Sequence, residues 1–201
     1  NTVLATYVTN TLLLMGGVGG VAIVFGVSSA WVISRYNFSG RSMLEWMLLL
    51  PAAIPAYIIA YCYTDFFEYA GPVQSGLRAA FGWQSPKDYY FPEVRSVGGA
   101  VLVMASVLYP YIYMVTRIAF RVTPASLFEI ALVHNKSQFW HVGLPLARPA
   151  IVAGLALVMM EVVSDFGTVE YFAVQTITLG IFNVWLGMNN LVAAAQISSV
   201  G

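Results

Sequence analysis

Charge is missing from long stretches of this sequence, and that absence limits the folds open to it. No Asp, Glu, Lys or Arg lies between Asn1 and Ser34, nor between Ser96 and Thr116. An uncharged apolar run of about 18 residues or more is long enough to cross the roughly 30 Å of bilayer hydrocarbon as a helix. Predominantly apolar stretches of that length fall at Leu4 to Ser34, Met43 to Phe67, Ser96 to Val115, Leu146 to Tyr171 and from Gln175 onward, the second and fourth carrying a few charges. The expected fold is therefore all-α, a polytopic transmembrane helical bundle of about five spans. Hydrophobic residues make up 59% of the chain and charged ones 9%, against about a quarter charged in soluble domains.

Several runs carry irregularities. Pro51 and Pro55 interrupt the second span and Pro110 the third. A membrane helix tolerates them where neighbours satisfy the freed carbonyls. They are either packed bends or hinges along a substrate path. Gly16 and Gly20 have the spacing that lets helix backbones approach closely, and intrachain packing is the expected use. In the fourth run, Pro149 to Met160 is too short to span alone, so Glu161 and Asp165 must lie at or near membrane depth. Four apart, they would share one helical face. Two readings stand: they line a route for a cationic or hydrated substrate, or they hydrogen-bond to neighbouring helices. Tyr57 with Tyr61, and Tyr109 with Tyr113, form similar i,i+4 stripes that either pack or present hydroxyls to a pore.

Basic residues set the orientation. Arg35, Arg41, Arg117, Arg121, Lys136 and Arg148 fall on one side and Arg78, Lys87 and Arg95 on the other. The richer side is expected to be cytoplasmic. That places residues 35–42 and 123–149 in the cytoplasm. The second of these loops, TPASLFEIALVHNKSQFWHVGLPLARP, is the long polar insert between apolar runs. Thr123-Pro124 reads as a helix start. Ser126 and Glu129 have capping-box spacing, and Leu127, Phe128, Ala131 and Leu132 give the short helix an apolar stripe. Ser137 to Val142 can form a second turn bearing Phe139 and Trp140. A helix this short has little stability alone in water, so it is expected to dock its apolar side on a partner.

Other chemistry is excluded. Formal net charge is zero, which leaves no nucleic-acid footprint. The two histidines, His134 and His141, stand apart from the single Cys62, with no metal-ligand cluster; Cys62 is expected to be a packed thiol. The only lysines, Lys87 and Lys136, lie outside any G-x-x-x-x-G-K-[ST] pattern, so the chain has no phosphate cradle and is not an enzyme by itself.

Glu129-Ile130-Ala131 followed by Val142-Gly143-Leu144-Pro145 resembles the EAA loop of permease subunits of binding-protein-dependent ABC importers. Ile130 stands where the family has Ala, Asn135 where it has Gly, and the spacing from Glu129 to Pro145 is shorter. Trp31 to Arg41, Leu48 to Asp65, Tyr69 to Leu77 and Met160 to Phe172 narrow the resemblance to ferric-iron importer permeases, in the first half of chains where two halves are fused. The resemblance implies a type I importer permease, 1–201 being one transmembrane domain cut short at both ends. It implies a coupling loop at Ser126, Leu127, Phe128, Glu129, Ala131, Asn135, Leu144 and Pro145. The implied partners are an ATPase subunit that binds the ATP, a periplasmic substrate-binding protein, and a second permease half or copy. Thiamine, polyamine and anion permeases share the loop. The alternative from another class is an ion-coupled secondary transporter using Glu161 and Asp165. Glu161→Gln combined with Asp165→Asn separates the readings of that pair: a pathway role predicts lost uptake at unchanged protein level, and normal uptake rules it out.

Overall fold

The structure, a computed structural model, describes residues 2–85 and 87–199, and among these it is helical with no strand. Among the described residues three helices are long and apolar enough to cross a membrane: Leu4–Arg35, within α1 (Thr2–Arg35); Val97–Val122, which is α5; and Phe139–Ser164, which is a π turn (Phe139–Gly143) followed by α7 (Leu144–Ser164). A fourth exists if the broken pair Arg41–Ala53 and Ala56–Phe81 counts as one span.

The second expected span is thus not continuous. It consists of α2 (Arg41–Met47), a 3-10 turn (Leu50–Ala53), and α3 (Ala56–Phe67), followed by α4 (Pro72–Phe81). The prolines are the cause. Pro51 takes an early position of the 3-10 turn, where no amide is needed, and Ile54 before Pro55 is extended at φ −112° and ψ 128°. Clash with the pyrrolidine ring drives a pre-proline residue out of the helical region. Pro110, by contrast, lies inside an uninterrupted α5. The fifth expected span is also broken, into α9 (Ile177–Phe182), a π turn (Asn183–Gly187) and α10 (Leu191–Ser198). Asn189 takes φ +49°, and the Asn190 side chain accepts from the Ala193 N–H, 3.0 Å away, to start α10. Two asparagines at that point favour a stop and a new cap over continuation.

The fourth span ends at Ser164, before Asp165. The Asp165 carboxylate instead accepts from the Thr168 N–H, at 2.8 Å, in the first turn of α8 (Gly167–Tyr171). Glu161 and Asp165 therefore do not share a helical face, because the helix that would align them has ended.

Residues cluster into two compact units. The first holds the chain up to Gly17, Pro55–Met104 and the residues from Val163 on. In it Asn10 donates to the Gln175 carbonyl at 3.0 Å, and the Ile177 N–H donates to Thr11 at 3.1 Å. The α4 end of this unit is an aromatic stack, with Trp83 between Phe81 and Tyr89 at 4.8 Å on each side. Backbone N–H groups of Gln84 and Ser85 hold the Asp88 carboxyl below its ordinary value. Its depressed value keeps that turn capped at neutral pH, and the cap is lost as pH falls through the folded value. Cys62, expected to be packed, is exposed on α3, whose buried residues are Ala60 and Thr64.

The second unit holds Val18–Ile54 and Ala105–Val162. Glycines carry its helix contacts. A Cβ at Gly26 would lie 2.9 Å from the Ile112 Cβ, one at Gly154 2.9 Å from the Ile112 Cα, and one at Gly19 2.7 Å from Met159. At Gly16 and Gly20, expected to pack within the chain, an added Cβ would meet no neighbouring atom within 4 Å. They lie on the exposed side of α1, while Val18, Ala22, Ala30 and Ile33 face inward. Glu45 of α2 accepts from Arg117, and from Arg121 at 3.1 Å. Both arginines are on α5, which runs further than the sequence suggested.

Gly154→Val is expected to cost about 1–3 kcal/mol by forcing backbones apart. It should lower the melting temperature in detergent, while Gly20→Ala leaves it unchanged. Equal melting for both variants would contradict this packing.

Candidate functional site

The 123–149 segment forms α6 (Ala125–Val133), a short link and the π turn that leads into α7. Pro124, not Ser126, is the N-cap of α6, and no side chain caps that end. The expected Ser126–Glu129 capping box is therefore not formed. Ser126 already lies inside the first turn, two residues past the cap position, while the Thr123 hydroxyl donates back to the Ala119 carbonyl at 2.8 Å. The C-terminal end closes well. The Lys136 N–H donates to the Ala131 carbonyl at 2.7 Å and the Asn135 N–H to the Leu132 carbonyl at 2.9 Å, with Asn135 at φ +53°. That is a Schellman closure, which needs a left-handed residue at Asn135's position, and Asn ranks after Gly for it. Asn135 thus meets the backbone requirement that glycine, the residue the resemblance leads one to expect, would meet.

One ring organises what lies beneath α6. Trp31, near the end of α1, meets Phe120 of α5 at 5.2 Å, Phe128 of α6 at 6.0 Å and Phe139 of the π turn at 5.0 Å. Phe128 is 1% exposed. The Arg35 guanidinium stands 4.1 Å over the Phe128 ring and donates to the Gln138 side chain at 3.3 Å. Gln138 in turn donates to the Phe128 carbonyl at 3.0 Å. A Cβ at Gly143 would sit 2.5 Å from the Trp31 ring, so only glycine lets the π turn pass that close. The π register shows in the Leu144 N–H, which donates to the Phe139 carbonyl five residues back; Pro145, which follows, has no N–H of its own to donate.

The opposite face of α6 is free of protein cover. Ile130, Leu132 and Val133 are exposed, Val133 at 83%, and Leu127 and Glu129 are also exposed. Leu127, Ile130 and Ala131 border a groove of about 580 Å³, closed on its other side by His134, Lys136, His141, Val142 and Pro145. The expected loop residues therefore divide. Phe128 and Ala131 point inward as anchors, and Leu127, Glu129 and Pro145 stand on or beside the open face. Trp31 forms the hub. Gln138 carried no sequence signal, since its partner Arg35 is 103 residues away.

The candidate path residues lie elsewhere. Tyr57 and Tyr61 are exposed on α3 in the first unit, Tyr61 being 5.6 Å from Tyr171. In the second unit Tyr113 is fully buried, its hydroxyl 3.5 Å from the Glu45 carbonyl, and Tyr109 packs 6.5 Å from Phe25. Glu161 is half-buried on α7. Among the described residues no cluster of His, Cys, Asp and Glu could hold a metal ion.

The family described as binding-protein-dependent transport system inner membrane component matches residues 22–199. The Fe(3+)-transport system permease protein FbpB 2 of Haemophilus influenzae is 27% identical over 195 residues, 95% of this chain and 34% of that protein. The putative molybdenum transport system permease protein YvgM of Bacillus subtilis is 25% identical, over 89% of this chain and 79% of its own. The sulfate transport system permease protein CysT of Salmonella typhimurium is 26% identical, over 75% of this chain and 52% of its own. The chain thus spans about a third of the length of FbpB 2 and a larger share of the others. A crystal structure of a bacterial ABC transporter involved in the import of the acidic polysaccharide alginate superposes with a TM-score of 0.74 and 18% identity, covering 100% of this chain and 74% of that one.

Arg35→Gln is expected to loosen α6 from its seat. Hydrogen exchange of the amides in residues 125–136 should speed up by about five- to tenfold, the equivalent of roughly 1–1.4 kcal/mol of lost cation–π and hydrogen-bond support. Unchanged exchange would show that Arg35 does not hold the helix.

Proposed function

Because the chain belongs to the family of binding-protein-dependent transport system inner membrane components, we propose that α6 is the element through which a separate ATPase subunit drives it. The observation that carries this reading is the two-sided character of α6. One side is locked on Trp31 through Phe128, and the other leaves Ile130, Leu132 and Val133 open. A nine-residue helix is marginal in water, so an open apolar face implies a partner's groove. ATP binds on that partner, closing it pulls α6, and the Trp31 cluster passes the pull to α1, α5 and α7. Alternating access follows if those helices have two packings, with Pro51, Pro55 and Pro110 as candidate hinges and Tyr57, Tyr61, Tyr109, Tyr113, Glu161 and Asp165 as candidate path residues.

The protein is then a multi-pass subunit of the bacterial inner membrane, with residues 35–42 and 123–149 in the cytoplasm. A periplasmic binding protein delivers the substrate, and a second permease half or copy completes the pathway. Ferric iron is the favoured cargo, supported by the FbpB 2 match over 95% of this chain. A molybdate or sulfate oxyanion is the second reading, supported by the YvgM and CysT matches. Uptake of radioactive iron, molybdate and sulfate by cells with and without the permease decides between them, and loss confined to one names it.

Ile130→Asp with Leu132→Asp should abolish co-purification of the ATPase subunit, a loss of at least about 100-fold for two apolar anchors turned to charges. The melting temperature of the permease should hold, since neither side chain is buried. Undiminished co-purification would overturn the assignment of this face.

A further inference from the structure

Three guanidinium groups and one carboxylate gather in the second unit, where α2 meets the last turns of α5. Glu45 accepts from Arg117 and Arg121. Arg41, the first residue of α2, donates to Asn37 and lies four residues, one helical turn, before Glu45. Three cations against one anion leave a surplus of two positive charges. Each guanidinium offers five donors and stays protonated, so Glu45 and Asn37 occupy only part of the supply. The Arg117 Nε is buried without a hydrogen-bond partner. Arg121 keeps 45% of its side chain exposed. Like charges held this close repel, and an added anion would relieve them.

The surroundings say which anion. Arg117 and Arg121 are one turn apart on α5, and beside them runs a second stripe, Met114, Ile118 and Val122, exposed at 46%, 59% and 74%. On α2, Met43 and Trp46 are exposed at 68% and 71%. A soluble oxyanion needs no apolar flank. A phosphate carrying acyl chains does, and tryptophan is favoured at headgroup depth. Basic pockets at the ends of membrane helices suit anionic headgroups.

We propose that Arg41, Arg117 and Arg121 bind the headgroup phosphate of an anionic phospholipid whose acyl chain lies along Met114, Ile118 and Val122. The site requires only that α5 spans the bilayer, and it is independent of the cargo and of the ATPase contact on α6.

The test is native mass spectrometry of the full permease complex in mild detergent, titrated with phosphatidylglycerol or with phosphatidylcholine of the same acyl chains. Phosphatidylglycerol should bind at least about tenfold more tightly. Arg41→Gln with Arg121→Gln should weaken it about 30-fold while phosphatidylcholine binding holds. Arg121→Gln alone should cost about fivefold, which keeps the test open if the double variant does not fold. Equal affinity for the two lipids would overturn the proposal, as would full phosphatidylglycerol binding by the folded variant. Displacement of the lipid by low millimolar inorganic phosphate would reassign the cluster to a soluble oxyanion. Because binding is read without transport, the outcome does not depend on whether α6 couples to an ATPase.

Discussion

The contact of Trp31 with three other rings is the constraint on which the functional segment depends. A nine-residue helix whose first turn lacks a side-chain cap cannot hold itself together in water. It is held because Phe128 is buried against Trp31, with Arg35 over the ring and Gln138 closing the link to the chain that follows. Removing Cβ at Gly143 is what lets that chain pass the indole. The result joins the end of α1, the end of α5, α6 and the start of α7 at one point. Force applied to α6 has a short, stiff route into the membrane helices. The same burial orients α6, since turning Phe128 inward leaves Ile130, Leu132 and Val133 outward.

Breaks in the helices are the second theme, and each has a local cause. Pro55 forces Ile54 out of the helical region and separates α2 from α3. The Asn189–Asn190 pair separates the π turn from α10. Asp165 caps a new helix immediately after α7 ends. At the last two breaks a side-chain oxygen, of Asn190 or of Asp165, accepts from a backbone N–H of the helix that follows, which suits a membrane setting. Pro110 and Pro149 show the converse, because each lies inside a helix that continues through it.

Much of this was legible in the sequence because hydrocarbon length is a one-dimensional signal. The uncharged run to Ser34 became α1, Ser96 to Thr116 became most of α5, and the polar insert became a short helix followed by a turn bearing Phe139 and Trp140. What stayed hidden depends on contacts between distant residues or on competition at helix ends. The Arg35–Gln138 bond joins residues 103 apart, and no spacing rule reveals it. Ser126 and Glu129 had the right interval for a capping box, but Pro124 took the cap position first. Gly16 and Gly20 had the spacing for close packing, yet α1 turns Gly19 and Gly26 toward its neighbours instead. Composition alone could not divide a helix into faces.

The central claim is that α6 and the start of α7 move as one piece. Pulsed electron resonance on the full transporter can measure it, with spin labels at Val133→Cys and Arg148→Cys in a Cys62→Ser background. Both label sites are exposed and belong to the same unit. The account predicts one narrow distance distribution that is the same with and without ATP. A distribution that broadens or shifts on adding ATP would show that α6 flexes on its own, and the Trp31 joint would not be the path of force.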